Sequence, residues 1–428
     1  MVRIIPALLV VALLGAGEVP RKVDTPASTS RPVASSAPSK SLPATRPAQA
    51  RRPRVPTRKL RSTQEYDELA KWLRDAYSKP PARWPKPTID PGVEYVELGL
   101  LRKPTFPPEN PFSEAKSDLG LKLFFDPRLS GSQTIACASC HEPELGWADG
   151  RAVSFGHERS PNARNAPTLV NVAHRKLLFW DGRAETLEDQ AHGPIEASNE
   201  MNADDATIVK RLSEQPGYRA AFKAAFGDET ITMERVAQAL ATYQRTIVSR
   251  PSAFDKFLSG QTDALSDAAV RGLHLFRTDA RCANCHMGPT FSDEKFHDLG
   301  LSYYGRKLQD LGRYEITKDP ADVGRFKTPT LRNIPRTAPY MHNGLFDLPG
   351  VLNMYNAGMV TQRRDEKLAD DPLYPTKSEH LRPLGLNDRD LADLLAFLES
   401  LEEVRLRIRP PELPGIGPSA TTTSSATR

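Results

Sequence analysis

The chain has 428 residues, with 58 Lys and Arg against 53 Asp and Glu, 39% hydrophobic residues and a mean hydropathy of −0.49. That suffices for about two or three cores and is too little for a membrane bundle. The formal charge of +5 does not describe a nucleic-acid surface: residues 18–60 hold ten Lys or Arg and two Asp or Glu, so the chain from Arg61 onward is slightly acidic.

In chain order, Arg3 precedes an apolar run, Ile4 to Gly15, and the small residues Ala16 and Gly17. This reads as an export signal over 1–17, shorter than the roughly 20 apolar residues of a spanning helix; an uncleaved anchor is the alternative. Residues 18–60 are rich in Pro, Ser and Arg and cannot bury a core, so a disordered linker is expected. Tyr66, Leu69 and Leu73 predict a leading helix within 65–76. Val236, Leu240, Tyr243 and Ile247 predict one within 233–248. Leu391, Leu394, Leu395, Leu398 and Leu401 predict another within 387–401, started by an Asn387 cap. Strand alternation is scarce. A first domain is expected over 61–250 and a second over 251–408, divided at Arg250-Pro251, with a low-complexity tail over 409–428.

All four cysteines lie in two C-x-x-C-H strings, Cys137–His141 and Cys282–His286, and none remains for a disulfide framework. Two thiols at this spacing reach the two vinyl groups of one haem, and the adjacent imidazole faces the iron. A dithiol redox site or half of a zinc site uses the same C-x-x-C, but zinc pairs usually lie close in sequence and these do not. An internal repeat supports the haem reading: Gly120-Leu121-Lys122-Leu123-Phe124 precedes the first string and Gly272-Leu273-His274-Leu275-Phe276 the second. The expected fold is therefore mostly α, two tandem cytochrome c-like domains with long loops, each binding one covalent c-type haem through His141 or His286. What sits on the other iron face decides function.

From about residue 98 to 402 the chain resembles the bacterial di-haem cytochrome c peroxidase family, which includes the MauG-type protein-oxidising enzymes. The strings that carry the resemblance are Leu119 to Asp126, Arg164-Asn165-Ala166-Pro167-Thr168, Phe179-Trp180-Asp181-Gly182-Arg183, Gln190 to Ile195, Glu200-Met201, Thr328 to Asn333 and Ala338 to Gly344, in order around the two haem motifs. The resemblance implies a peroxidase, with hydrogen peroxide reacting at the His141 haem. Electrons enter through the His286 haem from a small donor protein, a cytochrome c or cupredoxin. It also implies a periplasmic location, frequent homodimers, and a calcium ion held by Asn165, Thr337 and the Pro339 carbonyl. No nucleic-acid partner is expected.

Further roles follow only from that resemblance. His157 stands where many family members place a removable ligand of the peroxidatic iron; the alternative is a loop histidine beside an already open iron. Glu188 is assigned the proton transfer in peroxide cleavage, with Asp189 the nearest rival. For the relay haem, Tyr355 falls at the sixth-ligand position, with Met354 beside it and Met359 a third option. A thioether raises the iron's potential and suits electron uptake, whereas a phenolate favours ferric iron and suits oxidation of a partner protein's aromatic residue. His342 is read as lying near the haem without ligating it. The rivals to a peroxidase are a MauG-like protein oxidase and a di-haem electron carrier.

Overall fold

In a computed structural model, residues 56–361, 368, 370–404 and 407–415 are described. The expected signal at 1–17 lies outside them, as do most of the linker and of the tail. The last linker residues are tied down: Arg58 N–H donates to Gly385 O at 2.7 Å, and the Arg58 guanidinium meets Asp279 at 2.8 Å.

The helices among the described residues are α1 (Thr63–Tyr77), α2 (Glu114–Phe125), α3 (Leu187–Glu196), α4 (Asp205–Ser213), α5 (Pro216–Phe226), α6 (Met233–Arg245), α7 (Ala253–Leu258), α8 (Asp267–Arg277), α9 (Tyr314–Thr317), α10 (Leu348–Asn356) and α11 (Asp388–Glu399). Two short antiparallel strands, β1 (Phe296–Asp298) and β2 (Arg325–Lys327), pair with Phe296 opposite Lys327. Local chemistry starts each predicted helix. Ser62 and Glu65 form a reciprocal capping box at α1, and Asn387 and Asp390 form one at α11. α6 starts at a Thr232 cap, and the striped residues Val236, Leu240 and Tyr243 are buried.

Two apolar cores result. In one, α2, α4, α5 and α6 bring together Leu119, Leu123, Phe124, Ile208, Phe222, Val236 and Leu240. In the other, α7, α8, α10 and α11 contribute Phe254, Leu273, Phe276, Leu352, Leu394 and Phe397. Helix α1, expected to lead the first half, instead joins this second core. Its Leu73 and Tyr77 are fully buried there, Tyr77 Oη lies 3.0 Å from His274 Nδ1 on α8, and buried Arg277 donates to Tyr77 Oη at 3.0 Å.

The sequence repeat acquires a physical meaning. A Cβ on Gly120 of α2 would lie 2.0 Å from Ala239 O of α6, and one on Gly272 of α8 would lie 1.9 Å from Asp393 O of α11. Each glycine lets a motif-bearing helix touch the backbone of the helix that closes its unit. At the second crossing Arg271 grips Asp393 with two bonds of 2.7 and 2.9 Å, both groups buried. The chain leaves α2 and α8 into loops that fold as one turn over each C-x-x-C, at Cys137–Ser139 and Cys282–Asn284.

Candidate haem sites

Each C-x-x-C-H string is wound by its own backbone: the N–H of His141 donates to Cys137 O at 3.0 Å, and that of His286 to Cys282 O at 2.8 Å. The turn presents both cysteine side chains and the imidazole to one cavity, and no disulfide joins any of the four cysteines. His141 Nδ1 lies 3.0 Å from Trp147 O, and His286 Nδ1 lies 3.0 Å from Phe291 O. A carbonyl accepts only from an N–H, so each imidazole carries its proton on Nδ1 and keeps the Nε2 lone pair for a metal. Burial lowers the pKa of both rings, which favours that neutral form. Burial likewise pushes the Cys137 and Cys282 thiols up to about 12.

The walls suit a porphyrin. The first cavity is lined by Phe124, Ile135, Leu169, Ala191, Ile195 and Leu240. The second is lined by Phe276, Leu301, Leu331, Leu352, Leu394 and Leu398. Apolar walls, paired free thiols and an oriented imidazole match the needs of a covalently attached haem in each cavity.

The polar residues inside the first cavity are Gln190, Glu200 and Gln244, beside His141. Glu188 is not there. Arg245 holds it through two bonds of 2.7 and 2.8 Å, and Asn110 donates to it at 2.6 Å. Burial raises the Glu188 pKa, but Arg245 and Asn110 outweigh it, so the carboxyl titrates below its usual range. The reason lies in α3: its cavity side carries Gln190, Ala191, Pro194 and Ile195, and Glu188 faces α6 and its Arg245. Asp189 is spent at the start of the same helix, accepting from Glu185 N. Glu200 hangs from the loop after α3, and burial raises its carboxyl above the usual range with only Arg183 opposing. The string Glu200-Met201 carried the carboxyl that lines the cavity, whereas ungapped spacing from Trp180 to Arg183 points to Glu188, which does not line it.

His157 sits beside this cavity without lining it. Its N–H donates to Glu200 O at 2.7 Å, and its buried Nδ1 finds no partner. Neighbouring Gly156 does line the wall.

In the second cavity Tyr355 lies with Cys282, Cys285 and His286, and burial raises its phenol pKa far above the ordinary value. Val351, Leu352 and Tyr355 share one face of α10, and Met354 and Met359 are not among the lining residues. Asn165, Thr337 and Pro339, the expected calcium ligands, line this cavity together. Asn165 Nδ2 donates to Arg151 O at 2.8 Å, which leaves Oδ1 as the amide's acceptor. His342 is buried and stacks on Phe326 at 3.6 Å, and burial lowers its pKa to about 4.

A larger opening of about 1040 Å³ shares His141, Gln190 and Glu200 with the first cavity and Asn165, Trp180 and His342 with the second. Trp180 donates its Nε1 proton to Asn165 O at 2.9 Å. Arg164 ties the loops together through Asp181 at 2.6 Å and Asp310 at 2.7 Å. The indole thus lines both the second cavity and the larger opening that shares His141 with the first.

A family model described as di-haem cytochrome c peroxidase matches residues 114–263. The methylamine utilization protein MauG of Methylophilus methylotrophus is 40% identical over 315 residues, which cover 72% of this chain and 88% of that protein. The cytochrome-c peroxidase IdrP1 of Denitromonas iodatirespirans is 38% identical over 354 residues, covering 76% of this chain and 91% of the relative. Among solved structures, a MauG-like protein associated with microbial copper homeostasis aligns with a TM-score of 0.64 at 34% identity, over 71% of this chain and 93% of that one.

Proposed function

Because the chain belongs to the di-haem cytochrome c peroxidase family and is therefore a peroxidase, we propose how its residues divide the work between two haem sites. The family implies two c-type haems; Cys137, Cys140 and His141 would hold one, and Cys282, Cys285 and His286 the other, each in its own cytochrome c-like domain. When bound, the haems supply iron that exchanges electrons with peroxide at one site and with a donor at the other.

Hydrogen peroxide enters the first cavity, and Gln190 and Gln244 orient it by hydrogen bonds. Glu200 takes the proton from the near oxygen and returns it to the far oxygen, so that water leaves. This reading rests on one observation: Glu200 is the carboxyl that lines the cavity beside His141. His141 keeps its lone pair on Nε2 because Trp147 O holds the opposite proton. Electrons come from a small periplasmic donor protein by way of the second site, and Trp180, which lines that site and the larger opening, would carry them onward. Asn165, Thr337 and Pro339 hold a calcium ion that keeps the wall containing Trp180 in place.

Tyr355 in the second cavity supports a second reading, in which the oxidising power is used on a partner protein as MauG-type enzymes use it. The two separate in one experiment. Purified holoprotein is mixed with hydrogen peroxide and reduced cytochrome c, wild type beside Tyr355→Phe. A peroxidase oxidises two cytochromes per peroxide, and Tyr355→Phe accelerates this, because losing the phenolate raises the potential of the accepting site. No cytochrome oxidation by the wild type, with rapid peroxide consumption, would instead establish the protein-oxidising reading.

A further inference from the structure

We propose that a cavity behind the first haem motif binds a small phenol, and that Tyr243 and Trp147 pass its electrons toward the peroxide site. This adds a small-molecule donor route and rests on the peroxidase reading above.

Three observations meet here. First, Trp147 O accepts the His141 Nδ1 proton at 3.0 Å, so the indole belongs to the residue directly behind the imidazole. The Trp147 backbone takes φ of 62°, a left-handed conformation unusual for so large a side chain, and the residue is nevertheless buried. Second, the ring packs edge-on against Tyr243 at 6.2 Å and Phe124 at 5.7 Å, and Phe124 meets Tyr243 at 5.5 Å. Trp and Tyr are the two side chains most easily oxidised by one electron without bond cleavage. Third, Trp147 and Tyr243 both line a separate cavity of about 210 Å³, with Val170, Ile247, Arg250 and Arg336. A cavity of about 150 Å³ with apolar walls admits benzene. A single aromatic ring is therefore of a size to enter, beside the charged side chains of Arg250, Arg336 and Glu403.

The electrons balance through ordinary phenol chemistry. Tyr243 loses one electron through Trp147 toward the His141 side and one proton into the cavity that it lines. The bound phenol, ArOH, returns one hydrogen atom to Tyr243 and leaves as ArO•. Two such events deliver two electrons and two protons, which convert one hydrogen peroxide to two water molecules.

The test uses the holoprotein, 4-hydroxycinnamate as the phenol, and the variants Tyr243→Phe and Trp147→Phe. Tyr243→Phe removes one oxygen and keeps the ring packing. Calorimetry without peroxide should give saturable binding of one phenol per chain. Freeze-quenched electron paramagnetic resonance after peroxide should show a tyrosyl signal in the wild type and none in Tyr243→Phe. That variant should oxidise the phenol at least about tenfold more slowly, with cytochrome c oxidation unchanged within about twofold. Absence of saturable binding, no tyrosyl signal in the wild type, or undiminished phenol oxidation in Tyr243→Phe would overturn the proposal. If the wild type failed to oxidise cytochrome c as well, the peroxidase reading itself would fall.

Discussion

Glu188 and Glu200 show how two carboxylates in one stretch of chain take opposite roles. Glu188 is ionised and clamped by Arg245 and Asn110, and Glu200 is held where ionisation is costly. Their pH signs differ accordingly. The stability that Glu188 contributes is present above the unfolded carboxylate pKa and is lost as pH falls through its depressed folded value. Glu188→Ala should cost about 3 kcal/mol in urea unfolding, because Arg245, itself buried, loses its partner. The stability associated with protonated Glu200 is present at low pH and is lost as pH rises through its raised value. Glu200→Gln should therefore raise the melting temperature at pH 7. As the acceptor of a peroxide proton, Glu200 must be ionised, so the peroxide rate should fall as the solution is acidified through a pKa above the ordinary carboxylate range. A rate independent of pH between 4 and 8 would count against that role.

At the scale of elements, the sequence was most legible where local chemistry decides the outcome. The stripes of α6 and α11 and the Asn387 cap required no tertiary knowledge. The repeated Gly-Leu-x-Leu-Phe string marked both motif-bearing helices, although only the structure shows that its glycine is a helix-crossing point. Gly120→Ala and Gly272→Ala should each destabilise the fold by about 2–3 kcal/mol, since the added methyl meets a backbone carbonyl rather than a movable side chain. Equal unfolding midpoints for either variant and the wild type would refute that account of the repeat. The loops were less legible. Placing a loop residue such as Glu200 needs the length of the preceding helix and its facing, and one residue of register on α3 separates the cavity side from the α6 side.

For the whole molecule, composition and the two haem motifs were enough to anticipate a mostly helical, two-centred chain. They did not show where α1 would dock. Its spacing predicted a helix, but its partner, α8, lies about two hundred residues away, and docking depends on contacts such as Tyr77 with His274 and Arg277. The consequence can be measured. A holoprotein whose chain begins at residue 56 should melt like the full-length form. One beginning at residue 100 loses Leu73, Tyr77, Trp84 and Leu98 from the second core. It should lose about 8 kcal/mol or fail to fold, at about 2 kcal/mol for each large buried side chain. Equal melting of the two would mean that α1 is an ornament.

The assignment of the peroxide proton to Glu200 has the most direct test in single-turnover stopped-flow mixing of holoprotein with hydrogen peroxide, wild type beside Glu200→Gln and Glu188→Gln. Slowing of about a hundredfold or more in Glu200→Gln, with Glu188→Gln within about threefold of the wild type, is the predicted result. A fast Glu200→Gln beside a slow, correctly folded Glu188→Gln would contradict it.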